Sequence, residues 1–151
     1  MRALLVSALA LFLASCAAPD VLLATDVPFR VEGQLNADSR RVELEFPGDA
    51  PPGDRTRRVD VYTIRLQEGE RVWIRAGSGD FLPYIEAKND RVAAAGGRGR
   101  LRMAYDAAGT RGQSAETLLS FRGVWTVYVT SYRDAEATGD YTFWMSSTRG
   151  G

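Results

Sequence analysis

The sequence contains no histidine among its 151 residues. Catalysis by Ser-His-Asp or Cys-His groups and metal sites built on imidazole are therefore excluded. A nucleophile elbow, G-x-S-x-G, is also missing, because Ser78 has Ala76 in place of the first glycine and Ser114 lacks the last. The run GGRGRLR (96–102) has no lysine–hydroxyl pair after its glycines and is not a phosphate loop. No cofactor is expected, and a hydrolase using paired carboxylates is the enzyme class that stays open.

Cysteine is almost as scarce, since Cys16 is the only one in the sequence. No disulfide can form within the chain, and a free thiol in an oxidising compartment is a liability unless it is modified. The apolar run ALLVSALALFLA (3–14) is too short for a permanent membrane helix but suits the core of a signal peptide. It runs into LASC (13–16), which resembles the lipobox of bacterial lipoproteins. In that family the leader is cut before the cysteine, which is then acylated.

This resemblance implies a signal peptide over residues 1–15 and a lipidated tether over 16–26, followed by a folded domain over 27–148. Several acyl chains on Cys16 would anchor the protein stably, since each buried methylene contributes about 0.8 kcal/mol. Lipoproteins with aspartate after the cysteine are often retained at the inner membrane, so Ala17 favours the outer membrane, on either of its sides. The alternative is ordinary secretion with a cysteine present by accident.

The chain also lacks an excess of either charge, with 19 basic and 19 acidic residues. Cleavage of the leader would remove only Arg2 from this balance. A near-neutral chain has no net field to attract nucleic acid, which is therefore not an expected partner. Lys88 is the only lysine, so nearly all of the positive charge comes from arginine. We interpret this first as a bias of composition and not as evidence of function.

Apolar residues recur with a period of two along most of the chain, and no long helical period is present. QSAETLLSF (113–121) fits a short helix or a strand, and KNDRV (88–92) fits a hairpin turn. Short strands separated by Gly, Pro and Asp predict an all-β fold: an antiparallel, jelly-roll-like β-sandwich of about 7–9 short strands. In the predicted core, one set of side chains faces another: Trp125, Val127, Val129, Tyr141 and Phe143 face Tyr62, Ile64, Leu66, Val72 and Ile74.

Five motifs in order resemble the bacterial pre-peptidase C-terminal (PPC) domain, over about residues 58–147. They are DVYTIRL (60–66), GERVWI (69–74), SGDFLPYI (78–85), GVWTVYV (123–129) and TGDYTF (138–143). The resemblance implies a small β-sandwich, usually appended to secreted proteases but also found alone in envelope proteins.

The resemblance also raises the question of calcium at the SGDF corner. Family members often have a further aspartate after this motif and acidic residues after the next hairpin, and these can help to bind calcium. Here Leu82 and Ala94–Gly97 stand at those places, and calcium needs six to eight oxygen ligands. We therefore expect no metal, and we expect Asp80 to accept hydrogen bonds from N–H groups of its own turn.

Two groups of residues are candidates for binding a partner. Trp73, Tyr128 and Trp144 lie on strand faces opposite the predicted core, where aromatic side chains can stack on sugars or anchor a protein. The alternatives are that they cover the flank of the sandwich, pack under the first strands, or are out of phase by one residue. The second group is an arginine cluster suited to phosphates of lipid headgroups or lipopolysaccharide or to an acidic partner, unless it is a solvated loop. Its members are Arg91, Arg98, Arg100, Arg102 and Arg111.

These observations favour a non-enzymatic, envelope-anchored module that binds a protein or a glycan. A purely structural lipoprotein subunit of an envelope complex and a carboxylate-dependent hydrolase are the competing interpretations.

Overall fold

The period-two segments form strands in the computed structural model, which describes residues 21–45, 55–93, 101–104 and 114–148. Ten strands, a 3₁₀ turn (Ala24–Asp26) and one α-helical turn, α1 (Asp90–Ala93), are present in these ranges. The strands are β1 (Leu22–Leu23), β2 (Phe29–Leu35), β3 (Arg40–Glu43), β4 (Thr56–Leu66), β5 (Val72–Gly77), β6 (Pro83–Asn89), β7 (Leu101–Ala104), β8 (Ser114–Leu119), β9 (Gly123–Ser131) and β10 (Gly139–Ser146).

The strands form two packed sheets. One has six strands in the order β1-β4-β9-β6-β7, with β3 also paired to β4, and the other has four in the order β2-β10-β5-β8. Neighbouring strands are antiparallel except β1 and β4, which are parallel. The antiparallel β-sandwich is therefore confirmed, although its ten strands exceed the seven to nine that we predicted.

The core lies between the sheets and contains the predicted residues. Trp125, Phe143 and Ile74 are fully buried, and Tyr62 packs at the edge of the same cluster. The rings of Tyr62 and Phe143 stack across the sheets with centroids 4.1 Å apart. The grouping of the core residues was wrong in one respect, because β5 pairs with β10 in one sheet and β4 with β9 in the other. The alternation of apolar residues shows which side of a strand faces the core, but it does not show to which sheet the strand belongs.

Two local predictions need correction, and one open alternative is decided in favour of a strand. The tether predicted over 16–26 contains Leu22, which is 1% exposed and belongs to the core through the pairing of β1 with β4. The segment KNDRV does not form a hairpin turn, because α1 begins at Asp90. The ambiguous segment QSAETLLSF contains strand β8. No helix of the described residues is long and apolar enough to cross a membrane.

The two outer faces of the sandwich differ. The outer face of the six-stranded sheet is partly covered by the chain itself, since Leu44 packs with Val59 and Tyr84 in a second buried cluster. Glu86 is also fully buried beneath this segment, and its Oε2 accepts a hydrogen bond from the Glu45 N–H at 2.8 Å. No described segment makes a comparable buried cluster on the outer face of the four-stranded sheet, where Arg30 keeps a largely exposed side chain.

Candidate functional site

The SGDF corner is joined by hydrogen bonds to the TGD segment (138–140) at the start of β10. Ser78 Oγ accepts hydrogen bonds from the N–H groups of Asp80 and Phe81, at 3.0 and 3.3 Å, and donates one to the Asp140 carbonyl at 2.7 Å. Asp80 Oδ2 accepts a hydrogen bond from the Asp140 N–H at 2.8 Å. Our prediction for Asp80 was wrong, because Ser78 satisfies the N–H groups of the corner and Asp80 instead joins the distant turn.

Gly139 allows this close approach. Its φ is 141°, a region that side chains rarely adopt, and a Cβ at this position would lie 2.5 Å from Asp80 Cβ. In the part of the chain that the structure describes, no three His, Cys, Asp or Glu side chains are grouped as metal ligands. The geometry of the corner is that of a structural clasp between two motifs.

The DVY and GDY motifs also meet, inside the sandwich. Tyr141 donates a hydrogen bond to Asp60 Oδ2 at 2.6 Å, and its hydroxyl lies 2.7 Å from that of Tyr62. Burial raises the pKa of Asp60, against the opposing effect of the Tyr141 hydrogen bond, and raises the pKa of Tyr62 to about 12. Gly33 of β2 pairs with Tyr141 of β10. A Cβ at position 33 would lie 2.3 Å from the Tyr141 ring, so this position needs a glycine. These polar side chains are used in holding the sheets together.

The outer face of the four-stranded sheet carries the most distinctive surface group. We call it the Trp144 face and define it by Arg30, Trp73, Arg75 and Trp144. Trp144 lies directly between Arg30 of β2 and Arg75 of β5 in the register of the sheet. The two guanidinium carbons lie 5.5 and 5.3 Å from the centroid of the indole, within the range of a cation–π contact.

The two arginines of this face differ in their hydrogen bonds. Arg30 forms an ion pair with Glu32 at 2.9 Å, and Thr142 donates a hydrogen bond to the same carboxylate at 2.6 Å. The Thr142 hydrogen bond and the ion pair with Arg30 hold the pKa of Glu32 below its usual value. Arg75 Nε, in contrast, is buried with no hydrogen-bond partner in the structure. The Nε atoms of Arg55 and Arg58 are in the same state, so this feature does not distinguish the Trp144 face.

The three aromatic residues predicted as one group do not form one platform. Trp73 and Trp144 are half-buried on the same face, because Trp73 pairs with Ser146, two residues beyond Trp144. Tyr128 lies on the outer face of the six-stranded sheet, where it packs on the second buried cluster, and Lys88 Nζ lies 5.9 Å from its ring centroid.

The other predicted residues lie largely beyond the described part of the chain. Cys16, Arg98, Arg100 and Arg111 fall outside it, and of Arg102 the structure describes the backbone, opposite Ala87 in the pairing of β6 with β7. Sequence reasoning missed Arg30 and Arg75. Arg75 could have been identified, because it follows Trp73 by two residues on the same strand face. Arg30 could not, because it reaches this face through the pairing of two strands that are distant in sequence.

The architecture is that of a small β-sandwich with one flank partly covered by its own chain and the other not covered by any segment that the structure describes. Its fold is that of the PPC domain: the chain is similar to the pre-peptidase C-terminal domain of collagenase from Bacillus anthracis, with 14% identity and a TM-score of 0.50. The match covers 84% of this chain and 93% of that one. It confirms the resemblance and the fold that the five motifs implied. No protein-family model and no curated protein matches the chain.

Proposed function

We propose that the protein is a non-catalytic binding module of a bacterial envelope, anchored through a lipid on Cys16, and that its Trp144 face binds a protein or a glycan. The observation that carries this proposal is the position of Trp144 on the open sheet face, between the guanidinium groups of Arg30 and Arg75. Aromatic and arginine side chains are the residue types that most often dominate binding energy at protein interfaces.

The chemistry of this face limits what it binds. Because guanidinium groups already lie over the indole, a sugar can stack on Trp144 only if an arginine moves aside. Arg30 is held by an exposed ion pair with Glu32, which contributes little to stability and is easily exchanged. A partner with carboxylate or phosphate groups would draw the arginines outward and uncover the indole at the same time. The proposal therefore favours an acidic protein surface or an acidic glycan over a neutral one.

The carboxylates with raised pKa values do not support catalysis. Burial raises the pKa of Glu86, but this side chain is fully enclosed and lies 3.1 Å from Lys88 Nζ. Asp60 is engaged by the Tyr141 hydroxyl. A hydrolase of this kind needs two carboxyl groups that reach one substrate, and neither of these side chains is placed to do so.

The proposal is tested by comparing the lipidated wild-type protein with Trp144→Ala and Trp73→Ala on a glycan array and in crosslinking to its own envelope. Tyr128→Ala is the matched control, because it removes an aromatic residue from the opposite flank. We expect a wild-type partner whose binding weakens at least tenfold in Trp144→Ala and is kept in Tyr128→Ala, on the scale of a binding hot spot. Equal binding by all variants, or loss in Tyr128→Ala alone, would contradict the assignment of this face.

A further inference from the structure

A cavity of about 410 Å³ lies at one end of the six-stranded sheet, away from the Trp144 face. Its walls come from three places: the end of β4 and the turn after it, the start of α1, and the turn that leads into β9. The pairing of β4 with β9 brings Arg65 opposite Val124 and Leu66 opposite Gly123. Asn89 and Asp90 lie against Gly123, where a Cβ would meet Asp90 Oδ1 at 2.8 Å, so α1 is packed closely on this turn. The cavity therefore has walls set by strand pairing.

Three arginines and two carboxylates line this cavity, and the carboxylates already have partners. Asp90 Oδ1 accepts hydrogen bonds from the N–H groups of Arg91 and Val124, at 2.7 and 3.0 Å. Glu68 Oε2 accepts one from Arg122 Nη1 at 2.9 Å. In the described part of the chain, the guanidinium groups of Arg65 and Arg91 make no hydrogen bond or ion pair. Arg65 and Arg91 are thus the two cavity cations without a described partner, and with Asp90 still ionised the three guanidinium groups and two carboxylates of the lining give a net charge of +1.

The third arginine can join them. The Arg122–Glu68 ion pair is open to solvent, with side chains 58% and 83% exposed, and ion pairs of this kind are worth little. Arg122 can therefore exchange Glu68 for a ligand at low cost. Arginine binds phosphate oxygens with two parallel hydrogen bonds, and arginines from separate elements can reach different oxygens of one group. The volume also lies within the range of small-molecule sites.

We infer that this cavity binds a doubly charged phosphate monoester, either on a soluble small molecule or on a lipid headgroup. A phosphate monoester presents three oxygens to guanidinium groups on three separate elements, whereas a single carboxylate presents only two. The site is independent of the Trp144 face, since the two surfaces share no residue. It also gives a role to Arg91, the one residue of the predicted arginine cluster whose side chain the structure describes.

The test is an NMR titration of the full, lipidated chain in phosphatidylcholine nanodiscs at low ionic strength. The amides of Arg91 and Val124 are the reporters, because both donate to Asp90 on the cavity wall. We expect glycerol 3-phosphate to shift both amides, and acetate to bind at least tenfold more weakly. In the double variant Arg65→Gln/Arg91→Gln the affinity should fall at least tenfold, the scale of a lost charge-assisted hydrogen bond. Arg133→Gln, a change just beyond the other end of β9, should leave the affinity unchanged.

A second arm separates the two sources of the phosphate group. Nanodiscs containing phosphatidic acid should shift the same amides without added ligand if the site takes a headgroup, and should leave them unchanged if it takes a soluble ester. Either result supports the site, provided that the double variant abolishes the shift. The inference is overturned if neither ligand shifts the two amides, if acetate binds as well as the phosphate ester, or if Arg133→Gln weakens binding as much as the double variant. Trp144→Ala serves as a further control, because it should not alter the titration.

Discussion

The Asp80 carboxylate accepts a hydrogen bond from the backbone N–H of Asp140 at 2.8 Å, across a separation of 60 residues in the chain. Two of the motifs that resemble the PPC domain, SGDF and TGD, are therefore in direct contact. Ser78 adds a second hydrogen bond between the same two turns by donating to the Asp140 carbonyl. This pair of contacts joins the corner before β6 to the start of β10, the strand that contains Trp144.

The first prediction concerns this clasp. Asp80→Ala should lower the free energy of unfolding by about 1 kcal/mol, because one hydrogen bond between exposed groups is lost and water can replace it. Urea denaturation measures the change. Asp80→Asn, which retains an acceptor oxygen, should lose less. Millimolar calcium should raise the melting temperature of neither the wild type nor the variants, and a rise in the wild type that Asp80→Ala abolishes would show that the corner binds a metal.

The second prediction compares two glycines with positive φ. Gly139→Ala should cost about 1–3 kcal/mol or more, because the backbone is strained and the new Cβ collides with Asp80. Gly69→Ala should cost only about 1 kcal/mol, since nothing lies within 4 Å of its Cβ position and the strain is conformational alone. Thermal unfolding of both variants gives the comparison. Equal losses would mean that contact with Asp80 does not restrict residue 139.

The third prediction is a pH dependence. The pKa of Asp60 is raised in the folded state by burial, so the folded protein holds this proton more tightly than the unfolded chain. The contribution of Asp60 to stability is therefore fully present below its ordinary value of 3.8 and is lost as the pH rises through the folded pKa. Asp60→Asn cannot ionise and retains an acceptor for Tyr141. The stability of Asp60→Asn relative to the wild type should therefore increase from pH 3 upward and then level off, as measured by urea denaturation at each pH. A constant or falling difference would contradict this sign.

The fourth prediction uses two neighbouring residues on opposite faces of β10. Phe143→Ala should lower the free energy of unfolding by about 3–5 kcal/mol, because it opens a cavity in a fully enclosed core. Trp144→Ala should cost less, because its ring is half-buried and water can fill the space. Chemical denaturation of the two variants is the measurement. The reverse order would mean that the Trp144 face contributes more to stability than the core does.

The fifth prediction concerns the anchor. Cys16→Ser should leave the leader uncleaved or release the protein from the membrane fraction, because the acylated thiol is removed. Mass spectrometry of the mature protein should find Cys16 as an acylated first residue. A soluble wild-type protein that begins elsewhere and has no acyl chain is the contrary result.

The fold class and most of the core could be predicted from the sequence, because side-chain alternation is a local property of each strand. Trp125, Val127 and Phe143 could be assigned to the core without knowing which strands they lie beside. Leu22 could not, since a strand of two residues has no measurable period. The partner of Asp80 was missed for a related reason: an acidic side chain in a turn has N–H groups nearby, and only the packing of the sheets brings Asp140 closer.

The candidate sites were less predictable because they depend on strand pairing. Outward-facing residues can be found from the period, but Tyr128 and Trp144 point away from the core on different sheets. Arg30 flanks Trp144 only because β2 pairs with β10, and the arginine-lined cavity combines residues 65, 91 and 122, which no local pattern connects. Each of these contacts joins residues far apart in sequence. Short motifs contain no information on which strands pair or in which register they do so.

The place of Leu22 in the sandwich sets how far the domain could move from a lipid at Cys16. Leu22 is six residue steps from Cys16, and a fully extended chain advances at most about 3.5 Å per step, so the reach is about 20 Å. A protein lipidated at Cys16 would be confined to a thin layer at the bilayer surface and could not extend across the space beyond it. Under the proposed anchoring, whatever binds the Trp144 face must itself come to the membrane.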